Sequence, residues 1–266
     1  MSIENIGTLT WQVKNKVGII HLNRPERLNA IGSTMKSDLA EVFFNRARHD
    51  KNVKVVIITG TGERAFCAGA DLKERVGEKT SSHEFFFTQK ETHELMQKIE
   101  DFEKPTIAAI NGVALGGGLE IALCCDIRIA AEHAKLGLPE IKINMVPAAG
   151  GTQRLPRVIG ASRAKQMLFM AEMIGAQEAL SLGLISQISK KEKLMEESME
   201  MALKIAKMPS MAISLGKKCV NTGMQVDLNS GLDYERYAAS ILMVTQDRSE
   251  GINAFVEKRE PNFIGK

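Results

Sequence analysis

The hydrophobic pattern of the chain changes period several times, and each change predicts an element. Leu9–Lys14 and Val17–Leu22 read as paired strands around an Asn15–Lys16 turn. Ser33 offers a helix cap ahead of a stretch in which Met35, Leu39, Val42, Phe43 and Arg46 recur at helical spacing. Val53–Thr59 is a mostly β-branched run suited to a buried strand, and the GTGERAFCAGADLKE that follows reads as a glycine-punctuated loop. Helical periodicity returns over Ser82–Phe102, and Pro105 opens a strand at Thr106–Ile110. A helix follows from about Gly117, then a short strand at Ile127–Ala131 and a turn near Gly137–Pro139. Strand, glycine loop and helix thus alternate at irregular spacing, which predicts an α/β protein built from several ββα-like units.

From about Lys190 onward the strand signals stop. KEKLMEESMEMALKIAKM, SMAISLGKKCVNTG, DLNSGLDYERYAASILMVT and RSEGINAFVEKRE are all helical in character. The chain therefore divides into an α/β core, residues 1–190, and a helical region, residues 191–266, that reads as a separate layer or an oligomerisation element. Fourteen methionines, several of them in that region, suit an adaptable core or a subunit contact.

Composition narrows the function classes. The 266 residues can bury a full core, and 44% hydrophobic with 25% charged residues is ordinary globular composition. A net charge of +3, evenly scattered, argues against nucleic acid and leaves room for small anionic ligands. Cys67, Cys124, Cys125 and Cys219 form no metal-binding pattern, and Cys124 and Cys125 read as reduced core residues. The five histidines show no metal spacing, and solvent is the expected neighbour of His93. No secretory signal is visible at the N-terminus, and the longest apolar stretch is interrupted by Asn111, glycines and Glu120. These features predict a cytoplasmic or organelle-matrix protein without a membrane span.

Two carboxylates stand out. Glu120 follows three consecutive glycines in an apolar run, and Glu140 follows Pro139 in another. A carboxylate among apolar residues is costly unless it is paired, hydrogen-bonded or protonated. Taken singly, each also fits a structural role: Glu120 as a salt-bridged or capping helix residue, Glu140 as a helix-start residue. Gly60-Thr61-Gly62 formally opens a dinucleotide fingerprint, but a further glycine-containing loop follows where that motif needs a helix. Gly116-Gly117-Gly118 fits a tight strand-to-helix turn, or a helix start whose free N–H groups face a developing negative charge. The small residues of Cys67–Asp71 offer a second backbone N–H, and two such donors on one oxygen make an oxyanion hole. With two carboxylates beside it, such a site suits addition of water to a double bond conjugated with a carbonyl.

The chain resembles the enoyl-CoA hydratase/isomerase (crotonase) family along nearly its whole length. HLNRPERLNAI (His21–Ile31), VVIITGTGERAFCAGADLKE (Val55–Glu74), KPTIAAINGVALGGGLEIALCCDIRIA (Lys104–Ala130), GLPEIKINMVPAAGGTQRLPR (Gly137–Arg157) and EGINAFVEKREPNF (Glu250–Phe263) carry the likeness. The resemblance implies a spiral of ββα units with a helical C-terminal trimerisation region, commonly a dimer of trimers. It implies an oxyanion hole at the N–H groups of Ala70 and Gly117. It places Glu120 and Glu140 on the two catalytic glutamates of the hydratases, holding a water between them. Coenzyme A would run along Arg27, Leu28, Ala30, Ala68, Asp71, Leu72 and Lys73, with Phe255 and Lys258 approaching from a neighbouring subunit. Neither a metal nor a cofactor beyond the substrate's own coenzyme A is implied.

Retention of both glutamates implies hydration of a 2-enoyl-CoA to a 3-hydroxyacyl-CoA. GLPE in place of GQPE, and Glu26 where relatives often carry lysine, depart from the commoner pattern. GLPE and RLPRVIG also resemble a branch that hydrates 3-methylglutaconyl-CoA and includes AU-rich RNA-binding members. The rival expectations are therefore that hydration, Δ3–Δ2 isomerisation, or RNA binding on the same fold. The last would use Lys73, Lys79, Lys90 and Lys98, which are interleaved with Glu74, Glu78, Glu84, Glu91 and Glu94.

Overall fold

A computed structural model describes residues 3–77 and 79–266; Glu78 lies outside the described residues. The chain opens with strands β1 (Glu4–Ile6), β2 (Leu9–Lys14) and β3 (Val17–Leu22). Helix α1 (Met35–Ala40) continues as a π-helical segment, Glu41–Ala47, and leads into β4 (Val55–Gly60) and β5 (Ala65–Cys67). Next come α2 (Ser82–Glu100), β6 (Thr106–Ile110), β7 (Val113–Leu115), α3 (Gly117–Cys124), β8 (Ile127–Ala131) and β9 (Lys135–Gly137). A 3-10 turn at Glu140–Ile143 precedes α4 (Gly151–Ile159), α5 (Ala161–Phe169), β10 (Met173–Gly175), α6 (Ala176–Ser181) and β11 (Gln187–Ser189). Helices α7 (Leu194–Ala206), α8 (Ser210–Gly223), α9 (Leu228–Leu242) and α10 (Gln246–Glu257) complete it.

The strands form two sheets, one in the order β1-β2-β3-β4-β6-β8-β11 and one in the order β10-β9-β7-β5. In the larger sheet β1 to β3 pair antiparallel, and β3, β4, β6, β8 and β11 run parallel. Parallel strands buried on both faces favour apolar residues on both sides, and most positions of these strands are apolar. Ile20, Val56, Ile58, Ala108 and Ala130 point into the main core. The alternate residues Ile19, Val55, Ile57, Ile107 and Ile129 form a second core, closed by Leu194, Ala202 and Ala206 of α7. The parallel pairing carries the C-terminal ends of β4 and β6 to one side, where the loops and the smaller sheet gather.

Helices α8 to α10 differ from the rest. Lys217 of α8 pairs with Asp126 at 2.9 Å, and Asn221 bonds the Glu100 carbonyl. Yet Val220, Met224, Leu228, Leu232, Ile241, Ile252 and Phe255 remain exposed on the single chain.

Two local expectations are corrected. Ser33 is not the cap of α1: its backbone is left-handed (φ 48°), Thr34 takes the cap position, and the Ser33 N–H donates to Glu74 Oε2 at 2.7 Å. The chain is bridged to Ala70 at Ile31 and turns at Ser33 before the helix starts. The 60–74 loop contains a buried strand, β5, paired in parallel with β7. Strands β7 and β9 complete that second sheet, and at three residues each they are too short to show a period. After Gly60 the chain turns into β5 rather than a helix, so no dinucleotide site forms there.

Candidate active site

Asparagine side chains set the frame. Asn111, just after β6, accepts from the Gly60 N–H at 3.0 Å and donates to the Gly60 carbonyl at 2.9 Å. Asn29, fully buried, donates to the Ala65 carbonyl at 2.8 Å. Together they fix the end of β4 against the start of β5, and so the position of the Cys67–Asp71 loop.

That loop is zipped to Ile31. The Ile31 N–H donates to the Gly69 carbonyl at 2.7 Å, and its carbonyl accepts from the Asp71 N–H at 2.9 Å. In such a parallel bridge the intervening residue, Ala70, turns its own N–H to the opposite side. The second donor comes from α3. The first intrahelical bond there runs from the Glu120 N–H to the Gly116 carbonyl at 3.0 Å, so the Gly117 N–H precedes the ladder and has no intrahelical partner. The two loops abut: a Cβ placed on Gly69 would stand 3.5 Å from the Gly117 nitrogen. Gly116 has φ 52°, and a Cβ there would approach Glu140 Oε1 to 2.7 Å, so this glycine is required by both conformation and space.

Glu120 is 2% exposed and sits on the inner face of α3. Its Oε1 accepts from the Ala149 and Gly151 N–H groups, each at 2.7 Å. Burial pushes its carboxyl above the usual range, against the opposing pull of those N–H groups and of Arg154. The 148–151 turn that supplies the donors is itself clamped. Gln89 and His93 of α2 both bond the Ala148 carbonyl, and Arg154 bonds the Ala149 carbonyl while pairing with Glu100 at 2.7 Å. His93 is exposed, as expected, and also takes part in this clamp at 2.6 Å.

Glu140 is held differently. It opens the 3-10 turn after Pro139 and is half-buried. Its Oε2 is buried with no hydrogen-bond partner among the described residues. Burial, with the nearby Glu120 carboxylate, pushes its pKa up to about 7. A carboxyl in that range holds or releases a proton at neutral pH with little cost either way.

Both glutamates line one cavity of about 310 Å³, whose wall includes Gly69, Ala70, Gly116 and Gly117. The four residues singled out for chemistry, Ala70, Gly117, Glu120 and Glu140, are therefore brought together. Of the positions expected to hold coenzyme A, Ala68 and Leu72 line the cavity. Arg27, Leu28, Ala30, Asp71 and Lys73 do not line it but adjoin the residues that do. There Asp71 lies 3.0 Å from Arg24 and 4.0 Å from Arg27, the Lys73 N–H donates to Asp71, and the Leu28 carbonyl accepts from the Ala68 N–H at 3.0 Å. Arg24 also donates to the Ala30 carbonyl at 3.0 Å. Phe255 and Lys258 stand on or just after α10 and do not line this cavity in their own chain.

Sequence reasoning missed Lys36, Arg75, Phe85, Gln89, Thr92 and Met96, all on the cavity wall. Gln89, Thr92, His93 and Met96 recur at helical spacing along α2, and that was the available signal. Among the described residues no group of three or more His, Cys, Asp or Glu is placed to hold a metal. None of their helices is long and apolar enough to cross a membrane.

The chain is 39% identical over its whole length, and over the whole of the relative, to a crotonyl-CoA hydratase of Syntrophomonas wolfei. It is 40% identical to a short-chain-enoyl-CoA hydratase of Clostridium acetobutylicum, covering 96% of this chain and 97% of that one. A crystal structure of an enoyl-CoA hydratase from Bacillus anthracis superposes with a TM-score of 0.92 at 42% identity, over 97% of this chain and all of that one. Residues 12–266 match the enoyl-CoA hydratase/isomerase family, and the chain belongs to that family.

Proposed function

We propose that this chain hydrates the 2,3 double bond of a 2-enoyl-CoA, giving a 3-hydroxyacyl-CoA. The observation that carries the reading is the pair Glu120 and Glu140 on one cavity wall, beside the outward N–H groups of Ala70 and Gly117. The thioester oxygen lies between those two N–H groups, which hold the negative charge it gains as the enolate forms. A water sits between the glutamates. Glu120, with Oε1 committed to two backbone donors, accepts from it through Oε2 and orients it. Glu140 takes a proton as the hydroxyl attacks the β-carbon, then delivers a proton to the α-carbon. One water is consumed, one C–O and one C–H bond form, and both glutamates return to their starting state. The near-neutral pKa of Glu140 suits a group that must accept and release a proton in each cycle. No metal or further cofactor enters the scheme.

The coenzyme A moiety lies along the rim from Arg27 to Lys73. The exposed apolar residues of α8 to α10 support assembly as a trimer or hexamer, in which Phe255 and Lys258 of a neighbouring copy approach the nucleotide end. We place the reaction in cytoplasmic breakdown of fatty or branched-chain acyl-CoA thioesters. Crotonyl-CoA hydration, followed by loss of absorbance of the conjugated thioester, tests the activity. The reading requires turnover by the native protein and its collapse in Glu120→Gln and Glu140→Gln; full activity in both variants would overturn it.

A further inference from the structure

The wall of the cavity contributed by α1 and α2 carries positive charge that the hydration chemistry does not use. Lys36 of α1 and Arg75 of the 71–77 loop both line it, beside the buried side chains of Thr92 and Met96. The Lys36 amine donates to Thr92 Oγ1 at 2.8 Å, and the Thr92 hydroxyl donates to the Thr88 carbonyl at 3.0 Å. Thr92 is thereby fixed as an acceptor, and Lys36 is held by one protein bond with two N–H groups to spare. Among the described residues no carboxylate forms an ion pair with Lys36 or Arg75, whereas Arg24 and Arg154 are paired with acids. The acid acting on Lys36 is Glu91, exposed and next to Thr92; burial and Arg75 together lower the lysine's affinity for its proton.

A purely alkyl acyl chain filling this space would strip water from an ammonium that has one protein acceptor, which is unfavourable. A chain carrying an anion at its far end would restore the lost partners. We propose that this cavity selects an enoyl chain ending in a carboxylate, with Lys36, positioned by Thr92, as its principal partner and Arg75 as the second. Lys36 is then a specificity-determining residue, distant in role from Glu120 and Glu140. The inference rests on the hydratase reading and names the class of acyl group that site takes.

The test compares carboxylated and neutral substrates of equal carbon count: glutaconyl-CoA against pent-2-enoyl-CoA, and 2,3-dehydroadipyl-CoA against hex-2-enoyl-CoA. Competition in one mixture reads the ratio of kcat/KM, which does not depend on the fraction of active protein. The carboxylated member should win by about tenfold or more in at least one pair, the scale of a hydrogen bond to a charged group. Lys36→Met should lower that ratio by about tenfold to a hundredfold, and Lys36→Arg should largely restore it. Preference for the neutral member in both pairs would overturn the inference while leaving the hydratase reading intact. So would a Lys36→Met ratio equal to the native one, because a contact to coenzyme A or a role in folding affects both substrates alike. Hydration of none of the four would overturn the hydratase reading and this inference with it.

Discussion

Glu120 and Glu140 are the same residue type on the same cavity, held by opposite means. The Glu120 region is over-determined: a helix supplies the residue, a clamped turn supplies two N–H groups, and Gln89, His93 and Arg154 hold the turn. The Glu140 region is a 3-10 turn with a buried carboxylate oxygen that nothing in the described chain bonds. Burial raises both pKa values; at Glu120 the Gly151 and Ala149 N–H groups and Arg154 oppose the rise, whereas at Glu140 only its own backbone N–H does and the Glu120 carboxylate adds to it. In the proposed reaction, position within a local hydrogen-bond network, rather than residue chemistry, suits one carboxylate to orient water and the other to move protons.

The largest expected effects fall on activity. Glu140→Gln should lower kcat for crotonyl-CoA by about 10²–10⁴-fold, the range of a general acid–base group. Glu120→Gln should lose a comparable factor but leave the 149–151 turn in place, since the amide oxygen still accepts both N–H groups. A crystal structure of that variant with a displaced turn would break the comparison. Gly116→Ala should cost about a hundredfold, because its φ and the 2.7 Å approach to Glu140 both demand glycine. Steady-state kinetics would read this as a fall in kcat with folding intact by circular dichroism.

Stability should separate the two regions more gently. Glu120→Ala leaves two buried N–H groups without an acceptor and should cost about 2 kcal/mol or more. Glu140→Ala removes an unsatisfied oxygen and should cost less, which urea unfolding of the two variants would compare. The smallest effect is the pH dependence of folding. A carboxyl raised from 4.5 to about 7 binds a proton in the folded chain that the unfolded chain releases. Its contribution is complete below the unfolded value and is lost as pH rises through the folded one. Glu140→Gln escapes that loss, so its melting temperature relative to native should climb between those two pH values and then level off. An offset that stays constant across the series would mean that Glu140 is not raised.

Much of the fold was legible because burial on both faces writes itself into composition. Strands β2, β3, β6 and β8 fall on the residues expected for them, each an apolar or alternating run with clear ends. The smaller sheet was not legible, since β5, β7 and β9 have three residues each, too few to show a period. Glu120 and Glu140 were conspicuous because carboxylates among apolar residues need a reason. Their supports were not. The Ala149 and Gly151 N–H groups have no side-chain signature, and Lys36, Gln89 and Thr92 look like the solvated faces of charged helices. Only the packing of α1 on α2 shows that these polar groups face a cavity instead of solvent.

The central claim is that Glu140 carries the proton between water and the α-carbon. The pH dependence of kcat/KM for crotonyl-CoA hydration, native protein beside Glu140→Gln, tests it most directly. Because Glu140 must begin ionised to take a proton from water, the native rate should fall as pH drops through about 7. The residual rate of Glu140→Gln should show no such limb. A native profile flat through that region, or the same limb persisting in Glu140→Gln, would contradict the account.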